Sequence, residues 1–181
     1  HTTPRIGMPK ATSGKAALAA INPAVSVVAL IERADAARLA ELVAAASVVL
    51  DCTDNFSTRH AINRACVAAR VPLVSGAAIR FDGQVSVFDS RDDASPCYAC
   101  LFPPAGTFDE INCATMGVFA PLVGIIGAMQ AAEALKIAGQ IGRSLAGRLL
   151  LFDGLQAEWT SISIARDPAC SVCGQASPGH G

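Results

Sequence analysis

Three short apolar runs, separated by segments with helical character, constrain this fold more than any other feature of the sequence. The runs cover residues 25–31, 47–51 and 71–77, and runs of this length are typical of strands that are buried on both faces. Helix-boundary signals such as Pro9 and Asp35 predict helices over about 7–21, 35–45 and 57–69. Strands that alternate with helices indicate βαβ units and therefore a parallel sheet.

The second half of the chain has a different pattern. Residues 79–88 predict a hairpin around Asp82 and Gly83. After an irregular stretch, the sequence predicts a long helix and then two strands that extend the sheet in antiparallel fashion, over about 121–137, 148–152 and 159–164. We therefore predict an α/β fold: a Rossmann-like mixed sheet with helices on both faces, a parallel first half and an antiparallel extension.

Composition and charge exclude several classes of protein. The 181 residues include 14 basic and 15 acidic side chains, and 52% of them are hydrophobic. Such a chain is not disordered, and without a basic run it is not expected to bind nucleic acid. Residues 118–138 are long enough for a membrane span, but Gln130, Glu133 and Lys136 interrupt them and favour a buried helix. The start at His1 lacks a secretion signal, so we expect a cytoplasmic protein and a chain that is part of a longer one.

Seven cysteines require an explanation other than a disulfide framework, because their number is odd and no secretion signal is present. Four of them form two Cys-x-x-Cys pairs, Cys97 with Cys100 and Cys170 with Cys173. The pairs predict one tetrahedral Zn²⁺ site with four sulfur ligands and a structural role. Two redox motifs or reduced buried thiols are the alternatives. Cys52 and Cys66 lie in apolar contexts and are expected in the core.

Polar residues follow the second predicted strand, where ligands of α/β sheets bind. Asp51, Asp54 and Asn55 cluster there, and a carboxylate in this position can hold Mg²⁺ together with substrate phosphates. The alternative is that Asp54 only caps the next helix. Lys10 begins the first predicted helix after Gly7, where a phosphate can bind, although a solvated lysine is the simpler interpretation.

Two further residues have competing interpretations. Cys113 lies alone in a loop before the long helix, and a thiol near a helix N-terminus can act as a nucleophile; an inert buried cysteine is the alternative. His60 has no paired cysteine or carboxylate in register on its helix, so we expect a surface histidine.

In combination, these motifs resemble the signature of the ThiF/MoeB/HesA adenylyltransferases, the bacterial relatives of ubiquitin-activating enzyme. The central match is Leu-Asp-Cys-Thr-Asp-Asn at 50–55, followed by Arg59 and Asn63. The resemblance extends from residue 6 to residue 174, with further matches at 6–10, 72–76, 83–85, 97–100, 112–113, 124–136 and 170–173.

The resemblance implies ATP-dependent adenylation of the C-terminal glycine of a ubiquitin-like sulfur carrier, ThiS-like or MoaD-like, in thiamine or molybdenum-cofactor synthesis. It implies ATP and Mg²⁺ as cofactors, structural Zn²⁺ on the paired cysteines, and a homodimer. Lys10 would contact phosphates, Asp54 would hold Mg²⁺, and Asn55 would line the nucleotide pocket. Arg59 belongs to the cofactor-binding set and, with Asn63, is expected to brace that loop. Cys113 would take the activated carrier or receive sulfur.

One part of the family pattern is missing from this sequence. The family's N-terminal Gly-rich ATP loop precedes the motif at Lys10, and these residues do not contain it. We therefore expect a single ThiF/MoeB-type domain over 1–176, truncated at its N-terminus, with a frayed tail over 177–181. The alternative to an enzyme is a non-catalytic, zinc-bound module that binds a carrier or dimerises.

Overall fold

The computed structural model describes residues 2–104 and 117–174, which form two compact units, His1–Asp35 and Ala36–Gly181. The first unit contains a short 3₁₀ turn, Thr3–Arg5, and helix α1, Lys10–Ile21. The Arg5 guanidinium donates to the Ser13 carbonyl at 2.9 Å and ties the turn to the helix. The helix predicted near Pro9 is thereby confirmed.

The strand predicted over residues 25–31 is absent, and this prediction was wrong. The segment has no regular secondary structure and no ladder to any strand among the described residues, and Val28 is 77% exposed. A strand forms only where a neighbour takes up its backbone hydrogen bonds, whatever its β-propensity. The apolar run alone was therefore not sufficient evidence for a strand.

The second unit is built on a five-stranded mixed sheet. Its strands lie in the order β1 to β5, over Val49–Asp51, Leu73–Ile79, Asp82–Phe88, Arg148–Asp153 and Glu158–Ser163. The β1–β2 pair is parallel, and each later pair is antiparallel. The predicted α/β class, with a parallel part and an antiparallel extension, is confirmed, and one pair makes up the parallel part.

Helices cover both faces of this sheet, as predicted. They are α2, α3, α4 and α5, over Ala36–Ala44, Phe56–Ala69, Tyr98–Leu101 and Ala120–Gly139. Successive residues of β2 point to opposite faces. Leu73 packs with Val43 of α2 and Ile62 of α3, whereas Val74 packs with Ala134 and Ile137 of α5. The functional loops are thus positioned by a sheet with two separate apolar cores.

The hairpin of β2 and β3 forms, but it turns two residues earlier than predicted. Ile79 pairs with Asp82, so the turn consists of Arg80 and Phe81, and Arg80 has φ of 49°. Gly83 is needed for packing and not for the turn, because a Cβ built on it would lie 2.6 Å from Cδ1 of Ile126 in α5. This glycine lets the long helix approach the sheet closely.

Helix α5 is the one described helix that is long and apolar enough to cross a membrane by length and composition. It packs on the sheet through buried residues such as Leu122 and Ile126, so the predicted buried helix is confirmed for one face only, and most of its residues are exposed in the single chain. The residues on its outer face are also apolar, with Val123 and Leu135 51% and 68% exposed.

The close approach at Gly83 gives a first prediction. We expect Gly83→Ala to lower the free energy of unfolding by about 1–3 kcal/mol, because the new methyl group overpacks the contact with Ile126. Urea denaturation measures this change. Gly14→Ala in α1 is the matched control: its Cβ meets nothing within 4 Å, so the gain in helix propensity should stabilise α1 by up to about 1 kcal/mol. Equal effects of the two substitutions would contradict the packing argument.

Candidate functional site

The loop after β1 separates the three polar residues that the sequence grouped together. The Asn55 side chain caps α3, because its Oδ1 accepts a hydrogen bond from the Thr58 amide at 2.8 Å. Asp54 therefore does not cap the helix, and that alternative is wrong. The Asp54 carboxylate is exposed on the loop, where its Oδ1 lies 3.4 Å from Nδ2 of Asn55. An exposed carboxylate at the carboxyl end of a strand is available to a ligand.

Asp51, in contrast, points into the protein. It is 1% exposed, and its Oδ1 accepts hydrogen bonds from the amide and the hydroxyl of Thr53 at 2.9 and 2.7 Å. Its Oδ2 lies 3.5 Å from Nη1 of Arg59 and accepts no hydrogen bond from the described residues. Asp51 thus fixes the conformation of the loop from the buried side. Asp54, which is exposed, is the carboxylate of the two that a metal ion could reach.

Arg59 braces the loop as predicted. Its buried guanidinium donates from Nη2 to the carbonyl of Thr53 and to that of Gly76, the latter at 3.0 Å. Nη1 donates to Oγ of Ser75 at 3.2 Å. These bonds join the loop to the middle of β2. The assignment of Arg59 to cofactor binding stays a prediction, because its observed partners are all within the protein.

A third buried polar side chain, Gln130 of α5, supports the same loop, and sequence reasoning missed this role. Its Nε2 donates to the Asp51 carbonyl at 2.9 Å, and its Oε1 accepts from the Cys52 thiol at 3.6 Å. A Cβ on Gly76 would lie 2.3 Å from Cδ of Gln130, so the glycine makes room for the amide. The signal was present in the sequence as a lone amide within an apolar helix.

The two Cys-x-x-Cys pairs meet in space. The four Sγ atoms of Cys97, Cys100, Cys170 and Cys173 lie within 4.8 Å of one another. Their separations include 3.7 Å for Cys97–Cys170, 3.4 Å for Cys100–Cys173 and 4.0 Å for Cys97–Cys100. A tetrahedron with Zn–S bonds of about 2.3 Å has edges of about 3.8 Å, so the cluster fits zinc.

The thiols of the cluster have shifted pKa values. Burial raises the pKa of Cys97, and it raises the pKa of Cys100 to about 11. Burial acts in the same direction on Cys170, but hydrogen bonds from the backbone of Cys173 and Val172 outweigh it, and its pKa is lowered to about 7. Two independent redox motifs would not require four sulfurs at one point, whereas a zinc ion that replaces thiol protons does.

Two further predicted site residues, and two cysteines outside the cluster, remain to be located. Lys10 is exposed at the first position of α1, in the first unit, and Cys113 lies outside the described residues. Of the two remaining cysteines, Cys66 is in the core as expected, and burial raises its pKa to about 12. Cys52 is exposed, so its predicted core position was wrong.

Two predictions for α3 are corrected. Asn63 does not brace the loop, because four further residues of helix carry it about 6 Å along the axis from Arg59, to the knuckle that begins at Cys97. His60 is not a surface histidine: it is 8% exposed and stacks edge-to-face on Tyr98 at 5.3 Å. Burial lowers the pKa of His60, which therefore stays neutral at neutral pH.

Comparison with known proteins agrees with this geometry. Residues 1–172 match the sequence model of the ThiF family. The chain belongs to the ThiF family. It is 42% identical over 175 residues to the molybdopterin-synthase adenylyltransferase of Escherichia coli, covering 97% of this chain and 70% of that protein. It is also 42% identical to the E. coli sulfur carrier protein ThiS adenylyltransferase, covering 96% of this chain and 68% of that protein.

Solved structures share the fold. E. coli MccB with ATP aligns with a TM-score of 0.76 at 22% identity, over 96% of this chain and 53% of that one. A second MccB structure, with MccA-N7isoASN, gives a TM-score of 0.78 at 21% identity, over 97% and 54% of the two chains. This ThiF-family chain therefore spans about half the length of these structures, and at such identity the likeness concerns the fold.

The sulfur cluster gives a second prediction. We expect Cys173→Ser to reduce bound zinc from about one ion per chain to a small fraction of that and to lower the melting temperature, because the site loses one of four thiolates. Elemental analysis after gel filtration measures the zinc. Cys52→Ser removes a thiol outside the cluster and should leave zinc content unchanged. A wild-type chain that binds no zinc, or a Cys173→Ser variant that retains it, would refute the assignment.

Proposed function

We propose that this chain adenylates the C-terminal glycine of a ubiquitin-like sulfur-carrier protein with ATP. The observation that supports this most directly is the exposed Asp54 carboxylate on a loop that Asp51, Arg59 and Gln130 hold from below. ThiF-family relatives that match nearly all of the chain are named as adenylyltransferases for molybdopterin synthase and for ThiS.

The proposed reaction is a nucleotidyl transfer. A carboxylate oxygen of the carrier's terminal glycine attacks the α-phosphorus of ATP, the bond from that phosphorus to the bridging oxygen breaks, and pyrophosphate leaves. The product is an acyl-adenylate. Such a step requires clamped charge more than acid–base groups.

In this proposal Asp54 holds Mg²⁺, which neutralises charge on the phosphates. Asn55 lines the nucleotide pocket beside it. Arg59, also in the cofactor-binding set, keeps the loop in place through its hydrogen bonds to Thr53 and Ser75. Lys10 supplies a positive charge for the phosphates from the start of α1. Zinc has no open coordination position among four thiolates and so acts structurally.

The remaining parts of the proposal concern the use of the adenylate. Cys113 is the proposed acceptor of the activated carrier or of sulfur. We further propose that the carrier serves thiamine or molybdenum-cofactor synthesis, which the names of relatives for ThiS and for molybdopterin synthase support, and that the protein is cytoplasmic.

ATP–pyrophosphate exchange with a carrier that ends in Gly-Gly tests the proposal. We expect carrier-dependent exchange, and we expect Asp54→Ala to lower it roughly 100-fold or more, because the loop loses its metal ligand. Asp93→Ala removes a carboxylate that is 84% exposed and paired with Arg70, and should leave exchange unchanged.

Two outcomes would contradict the proposal. Unchanged exchange in a folded Asp54→Ala variant would exclude the assigned metal ligand. A zinc-loaded chain that binds the carrier but shows no exchange would favour the alternative, a non-catalytic carrier-binding or dimerisation module.

We also propose that the protein is a homodimer that covers the outer face of α5. That face carries Val123, Gly127, Ala128, Ala131 and Leu135, all exposed and all apolar. A helix that is apolar on every side is normally buried on every side, and a contiguous apolar patch marks an interaction surface.

A charge on the outer face of α5 tests the proposed homodimer. We expect Ala128→Glu to convert a dimer to a monomer in sedimentation velocity, because the symmetric interface would bury two like charges. Gln156→Glu adds the same charge at an exposed position in the turn between β4 and β5 and should leave the dimer intact. A monomeric wild-type chain, or a dimeric Ala128→Glu variant, would refute this interface.

A further inference from the structure

Asn63 is a buried amide with both ends occupied. It is 1% exposed in the middle of α3. Its Oδ1 accepts a hydrogen bond from the backbone amide of Tyr98 at 3.0 Å, and its Nδ2 donates to Sγ of Cys97 at 3.6 Å. Both partners belong to the first zinc knuckle, so a side chain of α3 holds this knuckle directly.

The chemistry at this position requires an amide. The Tyr98 N–H needs an acceptor, and the Cys97 sulfur, once it is a metal-bound thiolate, needs a donor. Asparagine offers one of each at opposite atoms. An aspartate of the same shape would offer only acceptors and would place a negative charge beside the thiolate. Groups that hydrogen-bond a metal's ligands fix the ligands' orientation and raise metal affinity.

The N-terminal part of the same helix, α3, holds the loop that carries Asp54. Asn55 caps α3, Arg59 reaches the Thr53 carbonyl, and Asn63 reaches Cys97, at intervals of four residues. These positions lie on one side of a helix, and the first and last are about 12 Å apart along its axis. A rigid helix thus joins the loop to the zinc knuckle.

We propose that Asn63 is a positioning residue that holds the Cys97 knuckle for zinc and that, through α3, makes the order of the Asp54 loop depend on zinc. The importance of the loop for catalysis rests on the proposed function. The physical coupling between the metal site and the loop does not, since every contact in it lies within the protein.

Zinc release tests the first half of the proposal. In the intact chain, we expect Asn63→Asp to lose zinc to the chelator 4-(2-pyridylazo)resorcinol with 10- to 100-fold lower apparent affinity than the wild type. Asn22→Asp makes the same change at an exposed position, where Oδ1 accepts from the Ala24 amide and an aspartate can do the same. That control should hold zinc like the wild type, and equal zinc affinity in all three proteins would overturn the role of Asn63.

Cobalt substitution separates positioning from general destabilisation. With Co²⁺ in the site, the thiolate-to-metal charge-transfer band depends on hydrogen bonds to sulfur, so Asn63→Asp should shift this band whereas Asn22→Asp should not. If Asn63→Asp does not fold, Asn63→Ser, which retains a donor in a smaller side chain, takes its place. An unshifted band in a folded, metal-loaded variant would overturn the proposed contact.

Hydrogen–deuterium exchange tests the coupling. Removing zinc from the wild-type chain should speed exchange in peptides over 52–66, including the Thr58 amide that Asn55 caps, while β3 and β4 stay protected. Unchanged exchange over 52–66 after zinc removal would overturn the coupling. None of these three measurements uses nucleotide or carrier, so a failure of adenylation and a failure of this inference are distinguishable.

Discussion

The buried guanidinium of Arg59 is the interaction on which the candidate site depends. A buried charge is costly unless its donors are satisfied, and here they bond to the Thr53 and Gly76 carbonyls and to Ser75, with Asp51 as the counter-charge. These partners lie on β1, β2 and the loop between β1 and α3. Loss of this one side chain would leave the buried Asp51 carboxylate without its counter-charge and would remove the hydrogen bonds from the guanidinium to the Thr53 and Gly76 carbonyls, so the loop that carries Asp54 would lose its attachment to β2.

Helix α3 extends that constraint across the second unit. One side of it is polar, with Asn55, Arg59 and Asn63 at four-residue steps: Asn55 caps the helix itself, and Arg59 and Asn63 each make hydrogen bonds to other elements. Neighbouring positions such as Ile62 and Cys66 enter the apolar core. The helix is therefore held by packing on one side and by polar contacts on another, which fixes both its rotation and its position along the axis. The loop that carries Asp54, at its N-terminus, and the knuckle at Cys97, about two turns later, are consequently both attached to this helix.

The sequence correctly predicted the elements that depend on local signals. Its predictions were wrong where the structure depends on residues that are adjacent in space but distant along the chain. Helix α3, helix α5 and the convergence of the cysteine pairs followed from periodicity and spacing. The strand at 25–31 failed because no described strand pairs with it, and the hairpin turn was misplaced because Gly83 serves packing against Ile126. The Arg59 contact was foreseen, but the Asn63 contact was not, since a residue's partner across the fold is not encoded in its spacing along a helix.

The hydropathy pattern of helix α5 does not show which of its faces is buried. Its buried side carries Gln130 and Glu133, whose amide and carboxylate bond to the Asp51 carbonyl and to the Leu145 amide, while Val123 and Leu135 are exposed. The buried face is therefore mixed, with Leu122 and Ile126 beside these two polar side chains, whereas in an ordinary surface helix the polar residues face water. The polar groups lie inside because they satisfy backbone atoms at the ends of β1 and before β4, where water is excluded. An apolar outer face then remains exposed in the single chain, and it is the face that the proposed homodimer would cover.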